Sequence, residues 1–382
     1  MPTLLIICFN DLKNDARVKR QIEFVKNEYT VTVACFDAHQ DSKYILYVLR
    51  KTRLTFFRKA LSSIFLLLGI NSIAYRILYN YQRHISSLKQ RNFDIILAND
   101  IETLPLAFQI AGNRSKIFFD AHEYAPRHFE DRLYWRIFFK RFNMDLCRKY
   151  IPRVHGMCTI NNSLAKAYED NFGVKPVVIT NASAYFDLKP EMRVEYPIRL
   201  VHHGIFTVSR QPEIMIDMMK LLDERFTLDL IYLLPENSSP RTKQYFEAFK
   251  SKAHASGNIR VLPALKSSEI VEAIHKRYDM GIILVPPVNF NYENGLPNKL
   301  FDCIQARLAM AVGPLKEIAN VTNHYKIGVV SKEFTAQSLA DSLRPLTLEM
   351  LNYFKKNTDV AACEMNADFN KKILLEALQK LI

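Results

Sequence analysis

No run of eighteen or more apolar residues occurs in this sequence, which excludes a membrane-spanning helix although 49% of its residues are hydrophobic and 12% aromatic. No signal peptide is expected either. Residues 1–8 lack a basic leader and a small-residue cleavage site and run directly into Asn10-Asp11, so they read as a first buried strand. No Cys-x-x-Cys pair is present. The six cysteines (Cys8, Cys35, Cys147, Cys158, Cys303, Cys363) lie far apart, several in apolar segments where free thiols pack as small hydrophobes, and a reducing cytoplasm suits them. No helix-turn-helix, zinc-finger or RNA-binding signature accompanies the basic charge, which sets nucleic acid aside as a partner. Internal repeats and low-complexity tracts are absent too.

What is present is a chain of 382 residues, long enough for two compact domains of roughly 150–200 residues, each with its own core. The net charge of +13 is unevenly placed: residues 1–180 carry 27 Lys+Arg against 16 Asp+Glu, leaving 25 against 23 for the remainder. Residues 41–90 alone hold nine basic side chains and one acid, interleaved with Tyr44, Leu46, Phe56, Phe57, the run Phe65 to Leu68, Tyr75 and Tyr79. Such a stretch has the composition of an interfacial element for an anionic membrane surface, and equally that of a solvated basic face over ordinary core residues.

Short β-branched runs alternate with helical stretches, the signature of parallel α/β layers. A first series of strands is predicted at 4–7, 31–34, 94–97, 116–119, 156–159 and 177–179, and a second at 198–201, 228–232, 259–261, 280–284, 309–312 and 328–330. Lys189-Pro190 and Tyr196-Pro197 interrupt any regular pattern between them. The expected organisation is a Rossmann-like domain over 1–183, a linker over 184–197, a second Rossmann-like domain over 198–363, and a terminal helix in 364–382 that crosses back to the first. Two doubly wound domains in tandem leave a cleft between the carboxyl ends of their sheets, where open parallel sheets bind ligands.

Asp15 to Val18, Asn99-Asp100 before Thr103-Leu104-Pro105, Asp120-Ala121-His122-Glu123 and Gly295 to Asp302, taken in order, resemble segments of family 4 glycosyltransferases, which build bacterial capsules, O-antigens and related surface glycans. Asp15-Ala16-Arg17-Val18 resembles the family's loop and helix on the acceptor side, and 97–105, with Asn99-Asp100 before Thr103-Leu104-Pro105, is similar to its Asn-Asp-x-x-Thr-Leu-Pro segment. Asp120-Ala121-His122-Glu123 resembles an Asp-x-His-Glu motif, 159–163 and 178–181 stand where the family closes its first domain, and His202-His203-Gly204 leads to Arg210. Gly295-Leu296-Pro297-Asn298-Lys299-Leu300-Phe301-Asp302 is the most specific match. The resemblance implies the GT-B architecture, with two domains facing each other across the cleft. It further implies retaining transfer from a nucleotide-sugar donor, with uridine diphosphate as the default, to a glycan or lipid-linked acceptor; the cysteines point to the cytoplasm, and the basic stretch 41–90 is what would hold the chain on the inner membrane face.

The residues suit that chemistry. Breaking the anomeric C–O bond leaves a diphosphate whose growing charge must be stabilised. Arg210 presents a fork of donors, Gly204 lets the backbone approach closely, and Gly295-Leu296-Pro297 marks a helix start whose amides and positive end would face the diphosphate. Lys299, in the first turn, adds a second charge; solvated side chains are the alternative for both cations. In the family a Glu-x7-Glu motif binds sugar and ribose. Here Asp302 takes the ribose position and Asn294 the sugar position, with Glu293 one residue out of register. His122 follows a strand and projects from its carboxyl end into the cleft, where it would bond the transferred sugar or a nearby substrate oxygen, beside Asp120 and Glu123; a structural histidine is the alternative. Asp100, Glu102 and Glu123 are placed on the acceptor side, a helix N-cap being the alternative for Asp100. No His/Asp/Glu cluster has metal-ligand spacing and no Asp-x-Asp stands in these segments, so neither metal nor other cofactor is expected. Two competing readings remain: a nucleotide-sugar epimerase of the same architecture, which needs paired acid/base residues, and a degenerate scaffold, suggested by the missing carboxylate at 294.

Overall fold

In the structure, a computed structural model that describes residues 1–382 apart from the side chain of Asn14, the β-branched runs form two wholly parallel sheets. The first contains β1 (Thr3–Ile7), β2 (Thr30–Cys35), β3 (Ile45–Val48), β4 (Ile95–Asn99), β5 (Lys116–Ala121), β6 (Gly156–Thr159) and β7 (Val177–Val178), in the order β3-β2-β1-β4-β5-β6-β7. The second contains β8 (Ile198–Ile205), β9 (Phe226–Leu233), β10 (Ile259–Leu262), β11 (Met280–Ile283), β12 (Ala309–Val312) and β13 (Gly328–Val330), in the order β10-β9-β8-β11-β12-β13. Each sheet winds outward one way from its first strand and then reverses. The reversal lies between β1 and β4 in one and between β8 and β11 in the other, and such a switch point opens a crevice at the carboxyl ends of the strands.

The central strands read as continuous hydrophobic runs because helices cover both faces. Leu4 to Ile7 on β1 and Met280 to Ile283 on β11 are buried throughout. β3 was not predicted. It is an edge strand with Ile45 and Val48 exposed, so it lacks the buried run that marked the others, and the basic residues around it dominate the pattern. Three helices, Phe56–Leu67, Asn71–Tyr79 and Gln82–Lys89, follow it before β4.

By contacts the chain divides into two units. The first comprises Met1–Thr180, Asn289–Asn291 and Asn370–Ile382; the second comprises Asn181–Val288 and Tyr292–Phe369. Residues 181–197 carry no strand or helix and group with the second unit, where the buried Arg307 guanidinium donates to the Phe186 carbonyl at 2.9 Å. In the first unit Asn370, on the helix Ala367–Gln379, donates to the Thr180 carbonyl at 3.0 Å and accepts from the Thr180 amide at 3.2 Å. One apolar core lines a face of the first sheet, and two line opposite faces of the second. All six cysteines are free, Cys363 alone being exposed, and no helix among the described residues is long and apolar enough to cross a membrane.

Candidate functional site

The second unit carries its polar cluster at the carboxyl end of β8, beside the switch point. Strand β8 ends in His202-His203-Gly204-Ile205, and Gly204 has φ +140°, a conformation that side-chain-bearing residues rarely adopt. A Cβ at Gly204 would lie 3.3 Å from Lys299 Nζ. Glycine therefore lets the lysine of the helix Asn298–Gln305 lie against the strand end. Lys299 is buried, and its ammonium donates to His202 Nε2 at 3.2 Å. His202 Nδ1 lies 2.8 Å from the Ile282 carbonyl. A carbonyl only accepts, so Nδ1 carries the proton and Nε2 is left to receive the lysine. Burial and the Lys299 charge hold His202 well below the ordinary histidine range, and the same two causes push His203 down to about 3. Both imidazoles are neutral.

Lys299 itself is pushed down to about 7, first by burial and then by Arg210, against smaller opposing effects of Cys303 and Asp302. Burial and the second cation thus outweigh the neighbouring Asp302 carboxylate. Arg210 is half-buried in a short turn after β8, with its guanidinium 6.0 Å from the Tyr292 ring centroid. Buried Asp302, one turn along the helix from Lys299, places a carboxylate oxygen 3.9 Å from His203 Nε2. Of the donor segment, Asn294 and Leu296 are buried, Gly295 is half-buried, and Glu293 is exposed. The helix differs from expectation at its start. Pro297 is extended (φ −71°, ψ 147°) and stands just outside, so the first helical residues are Asn298 and Lys299, whose amides have no carbonyl one turn back inside the helix.

In the first unit, parallel register sets Asn99 at the end of β4 opposite Asp120 on β5. Asp120 is fully buried and receives the Arg17 fork, Nε at 2.7 Å and Nη2 at 2.6 Å, together with the Gln21 amide. Burial opposes its ionisation, but Arg17 and His122 outweigh it and hold Asp120 well below the usual carboxylate range. Arg17 and Gln21 are four residues apart on the helix Ala16–Val25, hence on one face, and Asp15 caps that helix by accepting from the Val18 amide at 3.0 Å. His122, just beyond β5, sits 3.2 Å from Asn99 Oδ1 and 3.5 Å from both Asp120 Oδ2 and, through Nδ1, Asp100 Oδ1. Burial pulls its pKa down, but Asp100 and Asp120 prevail and raise it.

Asp100 makes no side-chain capping bond and has φ +66°, so the N-cap alternative does not describe it. Its strained backbone turns the carboxylate toward His122, and strain of this kind gathers at functional sites. Glu102 is raised to about 7 by burial and by Asp100, while Glu123 pairs with His128 at 2.7 Å. A polar hollow beyond β1 and β2 is lined by Asn10, Asp11, Asp15 and Lys51 with Phe9 and Phe36. Among the described residues, no group of three or more His, Cys, Asp and Glu is placed to hold a metal ion.

The structure thus gathers Gly204, Arg210, Lys299 and Asp302 in one unit, and His122, Asp100 and Asp120 in the other. Arg17, Asn99 and the two histidines of β8 stand in the sequence inside motifs, whereas Gln21 and His128, which pair with Asp120 and Glu123, lie outside any motif. Spacing of Arg17 and Gln21 was a local signal, but their target lies a hundred residues away.

No protein-family model matches the chain, and no curated protein matches it in sequence. Solved structures do. A UDP-forming trehalose-phosphate synthase from Burkholderia xenovorans is similar with a TM-score of 0.68 at 12% identity, covering 100% of this chain and 99% of its own. The sucrose-phosphate synthase of Thermosynechococcus elongatus gives 0.67 at 10% identity, with 100% and 99% coverage. Anabaena HepE in complex with UDP and glucose gives 0.64 at 12%, with 99% and 100% coverage. At such identities the likeness bears on the fold, and the two parallel sheets with alternating helices have the α/β two-domain fold known as GT-B.

Proposed function

We propose that this chain is a glycosyltransferase that takes a sugar from a nucleoside diphosphate donor. The observation that carries the reading is Lys299: a buried ammonium beside a second cation, Arg210, packed on a glycine at a strand end and depressed to about 7 by burial and by that cation. A diphosphate bound there supplies negative charge against the two cations, and both meet the charge that grows on the leaving oxygens. Amides of Asn298 and Lys299 at the helix start add to the cradle. UDP is the favoured nucleotide, since HepE binds it and the Burkholderia enzyme forms it. Asp302 is assigned to the ribose and Asn294 to the transferred sugar; the burial of Asn294 and exposure of Glu293 favour that register.

His122, held between Asp100 and Asp120, is assigned to a substrate oxygen, with Asp100, Glu102 and Glu123 on the acceptor side. The acceptor is proposed to be a glycan or lipid-linked glycan of bacterial surface polysaccharide synthesis. Transfer proceeds with retention, the acceptor attacking on the leaving-group face and the diphosphate taking its proton, without a metal ion. Purified protein incubated with a panel of nucleotide sugars, with and without a crude glycolipid acceptor and with and without chelator, tests this by nucleotide release. Release that needs acceptor and ignores chelator supports it. Sugar interconversion without acceptor would favour the epimerase, and inertness with every donor the scaffold.

A further inference from the structure

A surface helix ordinarily turns its apolar stripe to the core and its polar face to water. The helix Phe56–Leu67 departs from this by leaving most of its apolar residues in water. Its buried residues are Ser62 and Leu66, while Phe56 is 79% and Phe57 82% exposed, and Leu61, Ile64, Leu67 and Leu68 are exposed as well. Phe57, Leu61, Ile64 and Leu68 follow one another at helical spacing and form a single outward stripe. Ser62 is satisfied by donating to the Lys59 carbonyl at 2.9 Å, so the orientation leaves no buried hydroxyl unpaired. The helix is also fastened at its far end. Leu66, Ala74 and Tyr75 enter the first core, Asn71 donates to Asp145 at 2.6 Å, and the Arg141 guanidinium lies over Gly69, where a Cβ would come within 2.5 Å of it.

The apolar surface continues onto the helix Leu133–Phe138, which packs beside the first and exposes Leu133, Tyr134 and Ile137. Charge frames both. Arg53 precedes the first helix and Arg58 and Lys59 stand in its first turn; Arg136 stands in the second, which Arg132, Lys140 and Arg141 flank, with no acid between 132 and 141. We propose that these two helices form a docking face for an anionic bilayer surface. At 12 residues the first helix is about 18 Å long, too short to span a bilayer, and its outward stripe suits burial of one face at the headgroup boundary while the arginines meet lipid phosphates. The face lies wholly in the first unit and does not depend on the donor assignment.

Flotation of the full-length protein on a sucrose gradient tests the proposal. It rises with vesicles of equal phosphatidylcholine and phosphatidylglycerol at low salt, rises less at high salt, and stays down with phosphatidylcholine alone. The double variants Phe57→Ser, Ile64→Ser and Arg53→Glu, Arg58→Glu each lower partition by about tenfold or more while circular dichroism and nucleotide binding are unchanged, because these side chains are exposed or peripheral to the fold. In a Trp135→Phe background, Phe57→Trp emission shifts to the blue only with the mixed vesicles. Wild-type protein that stays at the bottom with mixed vesicles at low salt, or double variants that float as well as wild type, overturns the proposal. So does a dimer by light scattering that Phe57→Ser, Ile64→Ser converts to monomer without any vesicle binding, which would assign the face to a second copy of the chain. None of these outcomes alters the nucleotide-release assay.

Discussion

Replacing Lys299 by Met keeps the length of the side chain and removes its charge. The folded-state pKa of about 7 against an ordinary 10.5 is a gap of about 3.5 units. At about 1.4 kcal/mol per unit, keeping the ammonium charged below pH 7 costs the fold about 5 kcal/mol. Met removes that cost but leaves His202 Nε2 without its donor, a loss of about 1–3 kcal/mol. The variant is therefore expected to be more stable than wild type by about 2–4 kcal/mol at pH 6. The sign of the pH dependence follows from proton counts. Between pH 7 and 10.5 the unfolded lysine binds the proton and the folded one has largely released it, so wild type gains stability as pH rises through that window and the variant does not. By pH 9 the cost has fallen to about 2 kcal/mol and the two proteins are nearly level. Urea denaturation of both at pH 6, 7.5 and 9 measures the gap, and calorimetric titration with UDP at pH 8 accompanies it. Wild type takes up a proton on binding, as the diphosphate restores the ammonium. Lys299→Met shows no uptake and binds at least about tenfold more weakly. A stability gap that does not change with pH, or UDP affinity equal to wild type, would refute the assignment of Lys299 to the diphosphate.

Other outcomes follow from the same geometry. Asp120→Ala strands the buried Arg17 guanidinium and should cost about 3–5 kcal/mol in chemical denaturation while leaving UDP affinity unchanged. Gly204→Ala sets a Cβ 3.3 Å from Lys299 Nζ at φ +140°, so turnover and UDP affinity should both fall, whereas an exposed-surface substitution such as Lys166→Ala changes neither. Asp302→Ala should weaken UDP and intact donor alike by about 1–3 kcal/mol, and Asn294→Ala only the sugar-bearing species; calorimetry on both ligands decides. Should Glu293→Ala abolish donor binding while Asn294→Ala spares it, the register is shifted by one.

The sheet strands were legible because a strand covered on both faces must be apolar along its whole length, and Leu4 to Ile7 or Met280 to Ile283 satisfy that within four residues. Strand β3 escaped because one edge and half its side chains meet solvent. In the site, Gly204, Arg210 and Lys299 stood out through local chemistry: a glycine at a strand end, a cation in the turn after it and a cation near a helix start. Their consequences were not local. Whether Lys299 is a solvated surface lysine or a buried one depends on packing against β8, nearly a hundred residues earlier. Likewise Asp120 appeared as a neighbour of His122, yet its pairing with Arg17 and Gln21 joins a helix after β1 to the end of β5. Only the fold brings those ends together. Pro297 misled by one position because proline favours both the first helical residue and the extended residue before it.

Transfer itself is the central claim, and proton NMR of the donor's anomeric signal reads it most directly. With a UDP-sugar and a glycolipid acceptor, wild-type protein should replace the donor's anomeric doublet with a glycosidic signal of the same configuration, one equivalent of UDP appearing alongside, and Arg210→Ala should slow this by on the order of a hundredfold. A donor doublet that persists unchanged across the nucleotide-sugar and acceptor panel, at the same rate in wild type and Arg210→Ala, would contradict the account.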